Sequence, residues 1–177
     1  VKLISRYLDR NPAVDGQIVM YDLKTGDIKA LIDANYITAA RTGAVAAFAV
    51  DLYAKKDFKT IGLLGLGVTG RTSFLSLVSH FKDRKFIVKL YRYKNQAEEF
   101  IERFKNYENI SFLICDSYEE VISESDVIIS CISVAEKDLC DVKYYKEGCT
   151  VIPVHTMGFQ NCDLTFDKVF SDDKAHI

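Results

Sequence analysis

The segment ITAARTGAVAAFA at residues 37–49 places one arginine in a run of alanines, which favour a helix. The pattern predicts that Arg41 lies in the first turn of this helix, where a positive charge opposes the helix macrodipole. An anion bound there would pair with both the guanidinium and the free N–H groups of the turn, and the planar guanidinium suits a carboxylate. Two alternatives stay open: an ion pair with Asp33 or Asp51, or a solvated arginine.

The motif GLGVTG at residues 65–70 follows an apolar segment and precedes a segment with helical apolar periodicity. In a strand–turn–helix unit of this kind, Gly65 permits the tight turn, Gly67 lets the backbone approach a diphosphate, and Gly70 lets the helix lie close to the sheet. The alternative is a glycine turn that only connects a strand to a helix. The residues predicted to bind NAD(H) or NADP(H) here are Gly65, Gly67, Val68, Thr69 and Gly70.

The end of the second predicted strand should carry a carboxylate if the adenosine ribose of the cofactor has a free 2′-hydroxyl. The chain instead has YRYK at residues 91–94. With Arg92 and Lys94 present and no carboxylate beside them, a 2′-phosphate is held more easily than a hydroxyl, which favours NADP(H). The alternative is that both basic side chains are solvated and that the cofactor is held without an acid.

Two serines follow the fourth predicted strand at its carboxyl end, where ligands of open α/β sheets bind. Ser130 and Ser133 belong to the segment SCIS and are predicted to contact the cofactor. The alternative is that both hydroxyls bond the local backbone in a turn.

The elements that position these residues begin with a hairpin, predicted over residues 17–32 from two apolar runs around a polar turn. The alanine-rich residues 38–55 then predict a long, largely buried helix, with Asn35 or Thr38 as its cap.

A polar connection at residues 55–59 divides the chain into an N-terminal remnant, residues 1–56, and a nucleotide-binding domain, residues 57–177. Alternating apolar strands and amphipathic helices in the second part predict an α/β fold of the Rossmann type, doubly wound around a mostly parallel sheet. The predicted strands are 60–65, 86–91, 110–115, 126–131, 149–154 and 168–171, and the predicted helices are 69–81, 95–105 and 117–123.

Composition excludes several classes of function. The net charge is only −2 and there is no basic block, so binding to nucleic acid or to an anionic membrane through bulk charge is not expected. No apolar run is long enough to span a bilayer, and the first residues lack a signal-peptide pattern, so a cytoplasmic protein is expected. Because the first residue is Val1, we expect a piece of a longer polypeptide.

The five cysteines form no CxxC pair and lie mostly in apolar runs, which indicates buried free thiols rather than disulfides or metal ligands. His155 has no second histidine or cysteine at ligand spacing, so a hydrogen-bonded structural role is expected and no metal site is predicted.

With these motifs in view, the chain resembles the ornithine cyclodeaminase and mu-crystallin family, which includes some alanine dehydrogenases and ketimine reductases. The resemblance implies a Rossmann domain inserted into a split substrate and dimerisation domain, with residues 1–56 forming part of the latter. It also implies a homodimer that acts on a small amino or imino acid. The matching segments are VKL (1–3), TGDIKALID (25–33), ITAARTGAVAAFA (37–49), GLGVTG (65–70), SDVIISCIS (125–133) and GCTVIPVHTMG (148–158).

The resemblance also implies roles for individual residues. Arg41 matches the arginine that binds the substrate carboxylate, and Lys2 matches the lysine that holds or polarises the substrate near its α-carbon. The chain departs from the family pattern at three positions: Thr69 replaces a common glutamine, Ile132 a common threonine, and Gln160 an aspartate that acts as an acid or base.

A carboxamide has no useful pKa near neutrality, so Gln160 disfavours ornithine cyclisation. Reduction of an imine or a keto acid is favoured, because Lys2 or water could manage the proton. The alternative functions are a nucleotide-binding module without catalysis, or an inactive truncated homologue. In the last case, exposed apolar surface is expected on the helix over residues 38–55.

Overall fold

The computed structural model describes residues 1–7, 9–10, 14–155 and 157–171. The end of the predicted nucleotide-binding domain, residues 172–177, lies outside the described residues. The strands are β1 (Lys2–Arg6), β2 (Val14–Tyr21), β3 (Ile28–Asp33), β4 (Thr60–Leu64), β5 (Phe86–Tyr91), β6 (Ile110–Cys115), β7 (Val127–Ser130) and β8 (Thr150–Pro153). The helices are α1 (Asn35–Tyr53), α2 (Val68–His80), α3 (Gln96–Phe104) and α4 (Tyr118–Ile122), with short 3₁₀ turns at Val142–Tyr144 and Cys162–Thr165.

A parallel five-stranded sheet with the order β6-β5-β4-β7-β8 forms the centre of the molecule. The chain starts in the middle of the sheet, moves outward to β6, and then crosses to β7 and β8 on the other side of β4. This strand order is that of a Rossmann-type fold and confirms the predicted α/β class. The strands that follow β4 lie on one side of it up to β6 and on the other side from β7, so the carboxyl ends of the neighbouring strands β4 and β7 bound the crevice in which such folds bind ligands.

Apolar side chains cover both faces of the sheet, as a doubly wound fold requires. On one face, Ile61 and Leu63 of β4 pack with helices α1, α2 and α3, and Phe74 of α2 meets Phe100 and Phe104 of α3 at ring-centroid distances of 5.1 and 4.8 Å. The other face packs against α4 and the segments that follow β7.

Helix α1 packs directly on α2, backbone against backbone. A β-carbon on Gly43 would lie 2.5 Å from the carbonyl oxygen of Thr72 and 2.6 Å from the nitrogen of Ser73, so only glycine fits there. The hydroxyl of Thr72 donates to the carbonyl of Ala39 at 2.9 Å. The inner face of α1 therefore belongs to the same core as the parallel sheet. The proposed domain boundary at residues 55–59 stays a prediction.

The first three strands form a separate antiparallel sheet with the order β1-β2-β3. Its second and third strands confirm the predicted hairpin, whereas β1 was not expected from the sequence because its five residues show no apolar alternation. Both this sheet and α1 carry exposed apolar side chains. Those at least half exposed are Leu3, Met20, Ile28, Leu31, Tyr36, Phe48 and Leu52.

Helix α1 begins at Asn35, so Arg41 lies in its second turn, and the prediction of a place in the first turn is wrong. A single residue, Ala34, connects β3 to α1, and its carbonyl already accepts the N–H of Thr38 at 2.8 Å. Ala34 is therefore the N-cap position, and neither Asn35 nor Thr38 caps the helix. The helix is also buried along one side only, at positions Ala39, Gly43, Ala46, Ala47 and Val50.

The strand predicted at residues 168–171 is wrong, since these residues form no regular element. One apolar side chain of the segment meets a helix instead of a sheet edge: Phe170 stacks on Tyr53 of α1 with ring centroids 4.0 Å apart. Each of the five cysteines is buried or half-buried, as predicted, and no disulfide joins any two of them in the described residues. Burial raises the pKa of the Cys131 and Cys140 thiols to about 11. Within the described ranges, no helix has the length and apolar character needed to cross a membrane.

Candidate nucleotide-binding site

The glycine turn between β4 and α2 is held by two close backbone contacts. Gly65 has a φ of +79°, and a β-carbon there would lie 2.7 Å from the carbonyl oxygen of Cys131. Gly70, in the first turn of α2, lies against the carbonyl of Gly65, where a β-carbon would overlap the oxygen. The turn is therefore compact because both residues lack a side chain, as the motif predicted.

Gly67 differs from these two glycines. A β-carbon built on Gly67 would meet nothing within 4 Å, so its side of the turn faces open space. Gly67 is also the N-cap position of α2, with no side-chain hydrogen bond to the helix start and no acidic residue in the first turn. The N–H groups at this helix end are thus left for an outside acceptor, in a place where the helix dipole favours negative charge.

Val68 and Thr69 open helix α2 directly behind this space. Val68 is exposed, and Thr69 is half-buried, with its carbonyl accepting the hydroxyl of Thr72 at 3.0 Å. The arrangement of an open Gly67 and an uncapped helix start fits the diphosphate of a dinucleotide, which takes backbone N–H groups as donors. The residues of the turn therefore fit the cofactor that the motif predicts.

Ser130 and Ser133 lie in different environments. Ser130 ends β7 beside Leu64 of β4, and its hydroxyl is buried without a hydrogen-bond partner among the described residues. The alternative of a local backbone bond is thus not realised for Ser130. Ser133 is exposed in the following loop. Ser133 is therefore accessible to a ligand, whereas the Ser130 hydroxyl is buried.

Arg92 follows β5 and is held by two carboxylates. Its Nε donates to Oδ1 of Asp116 at 2.6 Å, and its Nη1 donates to Oε1 of Glu98 at 2.8 Å. Hydrogen bonding and charge from Asp116, and then charge from Glu98, raise the pKa of the guanidinium. The two states predicted for Arg92 from the sequence were a guanidinium that binds a phosphate and a guanidinium that is only solvated. The structure shows neither, because two carboxylates bond to Arg92.

Sequence reasoning missed Asp116 and Glu98 as residues of this site. Asp116 follows β6, and the parallel register pairs Tyr91 of β5 with Cys115 of β6, so the next residue of each strand lies at the same edge. Glu98 comes from the first turn of α3. The signal was available in principle: both predicted strands end one residue before a charged residue.

Arg41 and Lys2, the residues that the family resemblance singles out, are both exposed. The carboxylates proposed as partners of Arg41 are engaged elsewhere: Asp33 accepts the N–H of Asn35 at 3.0 Å, and Asp51 lies 3.4 Å from Nε2 of His80. In the part of the chain that the structure describes, Arg41 makes no ion pair.

Gln160 uses its carboxamide to connect two loops. Its Oε1 accepts the N–H of Gly158 at 2.7 Å, and its Nε2 donates to the carbonyl of Ala135 at 3.3 Å. An ionised carboxylate could accept the first bond but could not donate the second. Ile132 is half-buried and packs with the cluster on this face of the sheet.

His155 is half-buried just after β8, where burial and the nearby positive charge of Arg6 lower its pKa. Its predicted structural role stays a prediction. The described residues contain no group of three histidine, cysteine, aspartate or glutamate side chains that could hold a metal ion.

Comparison with known proteins finds similarity to one protein family and to solved structures of its fold. The model of the ornithine cyclodeaminase/mu-crystallin family matches residues 5–162. A solved structure of the Thermococcus litoralis Delta(1)-pyrroline-2-carboxylate reductase, in complex with NADH and L-proline, is 28% identical with a TM-score of 0.74. The match covers 85% of this chain and 47% of the reductase.

Two curated relatives point the same way. The N-((2S)-2-amino-2-carboxyethyl)-L-glutamate dehydrogenase of Staphylococcus aureus is 24% identical over 160 residues, which cover 89% of this chain and 47% of the relative. The ketimine reductase mu-crystallin of Mus musculus is 28% identical over 139 residues, which cover 77% of this chain and 42% of the relative. The chain thus spans less than half the length of these relatives.

Proposed function

The chain belongs to the ornithine cyclodeaminase/mu-crystallin family, and from this premise we propose that it binds NAD(H) or NADP(H) and acts as an oxidoreductase on small amino or imino acids. The observation that carries the proposal is the glycine turn. The turn is open at Gly67, and the first turn of α2 has neither a side-chain cap nor an acidic residue. Gly70 lets α2 approach the end of β4 closely. This geometry suits a diphosphate.

The backbone N–H groups of the turn, contributed by Gly65, Gly67, Val68, Thr69 and Gly70, would hold the diphosphate. Arg92 would lie near the adenosine ribose, and Ser133, with Ser130 behind it, near the nicotinamide end. When bound, the cofactor supplies or accepts a hydride. The chain itself supplies orientation, because a reactant that is held in place no longer needs a chance encounter.

For the substrate, we propose that Arg41 binds the carboxylate and that Lys2 donates a hydrogen bond near the α-carbon. The free, exposed state of Arg41 supports this role, because neither Asp33 nor Asp51 neutralises it. The substrate class is an imine, as the names of the pyrroline-2-carboxylate and ketimine reductases suggest, or the corresponding keto acid. Gln160 argues against cyclodeamination, since its amide connects two loops and carries no transferable proton.

The assembly and location belong to the same proposal. A homodimer would bury apolar side chains that α1 and the N-terminal sheet leave exposed, including Phe48 and Leu31. We propose a cytoplasmic protein in which residues 1–56 belong to the substrate and dimerisation part and residues 57–177 to the nucleotide-binding part.

A second candidate function is a nucleotide-binding module without turnover. It is favoured by Gln160 and Ile132, which depart from the family pattern, because the amide of Gln160 connects two loops and offers no acid or base for turnover.

Calorimetric titration with NAD⁺, NADH, NADP⁺ and NADPH tests the shared part of both candidates. Binding of none of the four would overturn them together. The second step follows reduced-nicotinamide absorbance with Delta(1)-pyrroline-2-carboxylate and with pyruvate plus ammonia. Turnover supports the enzyme, and tight binding without turnover on these substrates supports the module.

Arg41 has its own test within the enzyme proposal. Arg41→Met should abolish turnover and leave nucleotide affinity unchanged, whereas the exposed Arg103 of α3, changed in the same way, should alter neither. Equal turnover in the two variants would contradict the assigned role.

A further inference from the structure

The two carboxylates on Arg92 bear on which nucleotide the site accepts. Arg92 bridges Asp116, at the end of β6, and Glu98, in the first turn of α3. Both bonds are short enough for charge-assisted pairs, at 2.6 and 2.8 Å. The guanidinium therefore donates from Nε and Nη1 to protein oxygens, and only its remaining N–H groups face outward.

The position of this triad is fixed by the sheet. Strand β5 lies next to β4, which carries the glycine turn, and the register pairs Leu63 with Leu90. In this fold the adenosine ribose of a dinucleotide lies at the carboxyl end of the strand next to the glycine turn. Arg92 is the first residue beyond that strand, so the 2′ substituent of the ribose would approach Arg92, Asp116 and Glu98 together.

The charges around this point are balanced toward negative. One guanidinium stands against two carboxylates, and a third carboxylate, Glu120, accepts the N–H of Asp116 at 2.9 Å. Lys94 is the other cation of the segment, and its ammonium rests over the ring of Tyr93, 5.2 Å from the centroid. Asp116 and Glu98 thus give the group that they form with Arg92 a net negative charge.

We propose that the Arg92–Asp116–Glu98 triad makes the site selective for NAD(H) over NADP(H), an inference that rests on the proposed nucleotide binding. A 2′-phosphate would have to displace both carboxylates from Arg92 or lie beside them, and like charges at such distances repel strongly. A 2′-hydroxyl avoids this cost and donates to a free oxygen of Asp116 or Glu98. The prediction of NADP(H) from the sequence assumed that Arg92 is a free cation, whereas Asp116 and Glu98 both pair with it.

The test compares the dissociation constants of NADH and NADPH for the purified 177-residue chain, followed by nicotinamide fluorescence. We expect NADH to bind at least about tenfold more tightly, as expected when a like-charged contact is avoided. In the double variant Glu98→Gln, Asp116→Asn, the two negative charges on Arg92 are removed while side-chain size is kept. NADPH affinity should rise at least about tenfold in that variant, and NADH affinity should fall or stay constant.

Glu102→Gln is the matched control, because Glu102 is an exposed carboxylate of the same helix that pairs with Lys105 rather than Arg92. It should leave the ratio of the two constants unchanged. Equal or tighter binding of NADPH by the parent chain would overturn the selectivity, and so would a double variant with an unchanged ratio. If neither nucleotide binds, the proposed function itself fails, which is a different result from binding without preference.

Discussion

The Cα of Gly70 lies against the carbonyl oxygen of Gly65, so that a β-carbon on residue 70 would overlap it. Gly67, three residues earlier, would carry a β-carbon into open space. A substitution by alanine at these two positions therefore distinguishes an effect on folding, expected at residue 70, from an effect on nucleotide binding, expected at residue 67.

Gly70→Ala should lower the free energy of unfolding by about 2 kcal/mol or more, because overpacking forces the backbone apart. Gly67→Ala should change it by about 1 kcal/mol or less, since alanine is only a poorer N-cap residue. Nucleotide affinity should nevertheless fall at least about tenfold in Gly67→Ala, because the methyl group stands where the diphosphate approaches. Urea denaturation and calorimetric titration measure the two effects; a Gly67→Ala chain that binds like the parent would contradict the placement of the diphosphate.

Ser130→Ala removes a buried hydroxyl that has no partner among the described residues. Burying a polar group without a hydrogen bond costs free energy, so the variant without nucleotide should be more stable by about 1 kcal/mol. If the segment after β7 shifts to expose Ser130 to the nicotinamide, nucleotide affinity should fall in the same variant. Ser133→Ala, on an exposed serine of the same segment, should leave stability unchanged. A less stable Ser130→Ala chain would show that the hydroxyl is satisfied in solution.

Asp126 connects the amino ends of β4 and β7. Its Oδ2 accepts the N–H groups of Lys59 and Thr60 at 2.8 and 3.0 Å, and its Oδ1 pairs with Lys146 at 2.6 Å. Burial alone would raise the pKa of this carboxyl, but the bonds from Lys146 and the two N–H groups lower it to about 2.

A carboxyl whose pKa is lower in the folded chain than in the unfolded chain stabilises the fold above the unfolded pKa, and the stabilisation is lost as pH falls to the folded pKa. Asp126→Asn should therefore cost about 2 kcal/mol at neutral pH. The difference from the parent chain should disappear as pH falls from about 4 to about 2. Urea denaturation at several pH values measures it, with Asp83→Asn, an exposed aspartate, as the control. A difference that is independent of pH would contradict the assignment.

The outer face of α1 should drive self-association. Phe48 is 60% exposed and Leu52 is 51% exposed, on the side of the helix away from the core. The double variant Phe48→Glu, Leu52→Glu should be monomeric in light scattering at concentrations where the parent chain is larger. Lys56→Glu, beyond the helix end, changes charge without removing apolar surface and should behave like the parent. A parent chain that stays monomeric would contradict this role of the helix.

Strands β5 and β6 have the bounds predicted from the sequence, because each apolar run is closed on both sides by polar residues. The start of α1 was not predictable in the same way. The cap signals of Asn35 and Thr38 were local, whereas the single-residue connection at Ala34 depends on how the hairpin meets the helix. The strand predicted at residues 168–171 is absent because its two apolar residues, Val169 and Phe170, are too few to distinguish contact with a helix from pairing in a sheet.

The position of the site could be predicted from the glycine motif, and the three glycines of the motif could be assigned separate roles from the sequence alone. The carboxylates on Arg92 could not be predicted with equal ease, since Asp116 and Glu98 reach it through strand register and a helix turn. A charged residue after a strand therefore has to be judged together with the residue that follows the neighbouring strand.

The contact of Gly43 with the backbone of α2 has a mechanical consequence. Two helices that touch without side chains between them cannot slide or tilt independently, and the bond from Thr72 to Ala39 fixes their relative rotation. Arg41, two residues beyond Ala39, must then move as a rigid body with the start of α2. Any movement between the two halves of the chain has to bend it elsewhere, and the backbone of Arg41 keeps its separation from the glycine turn.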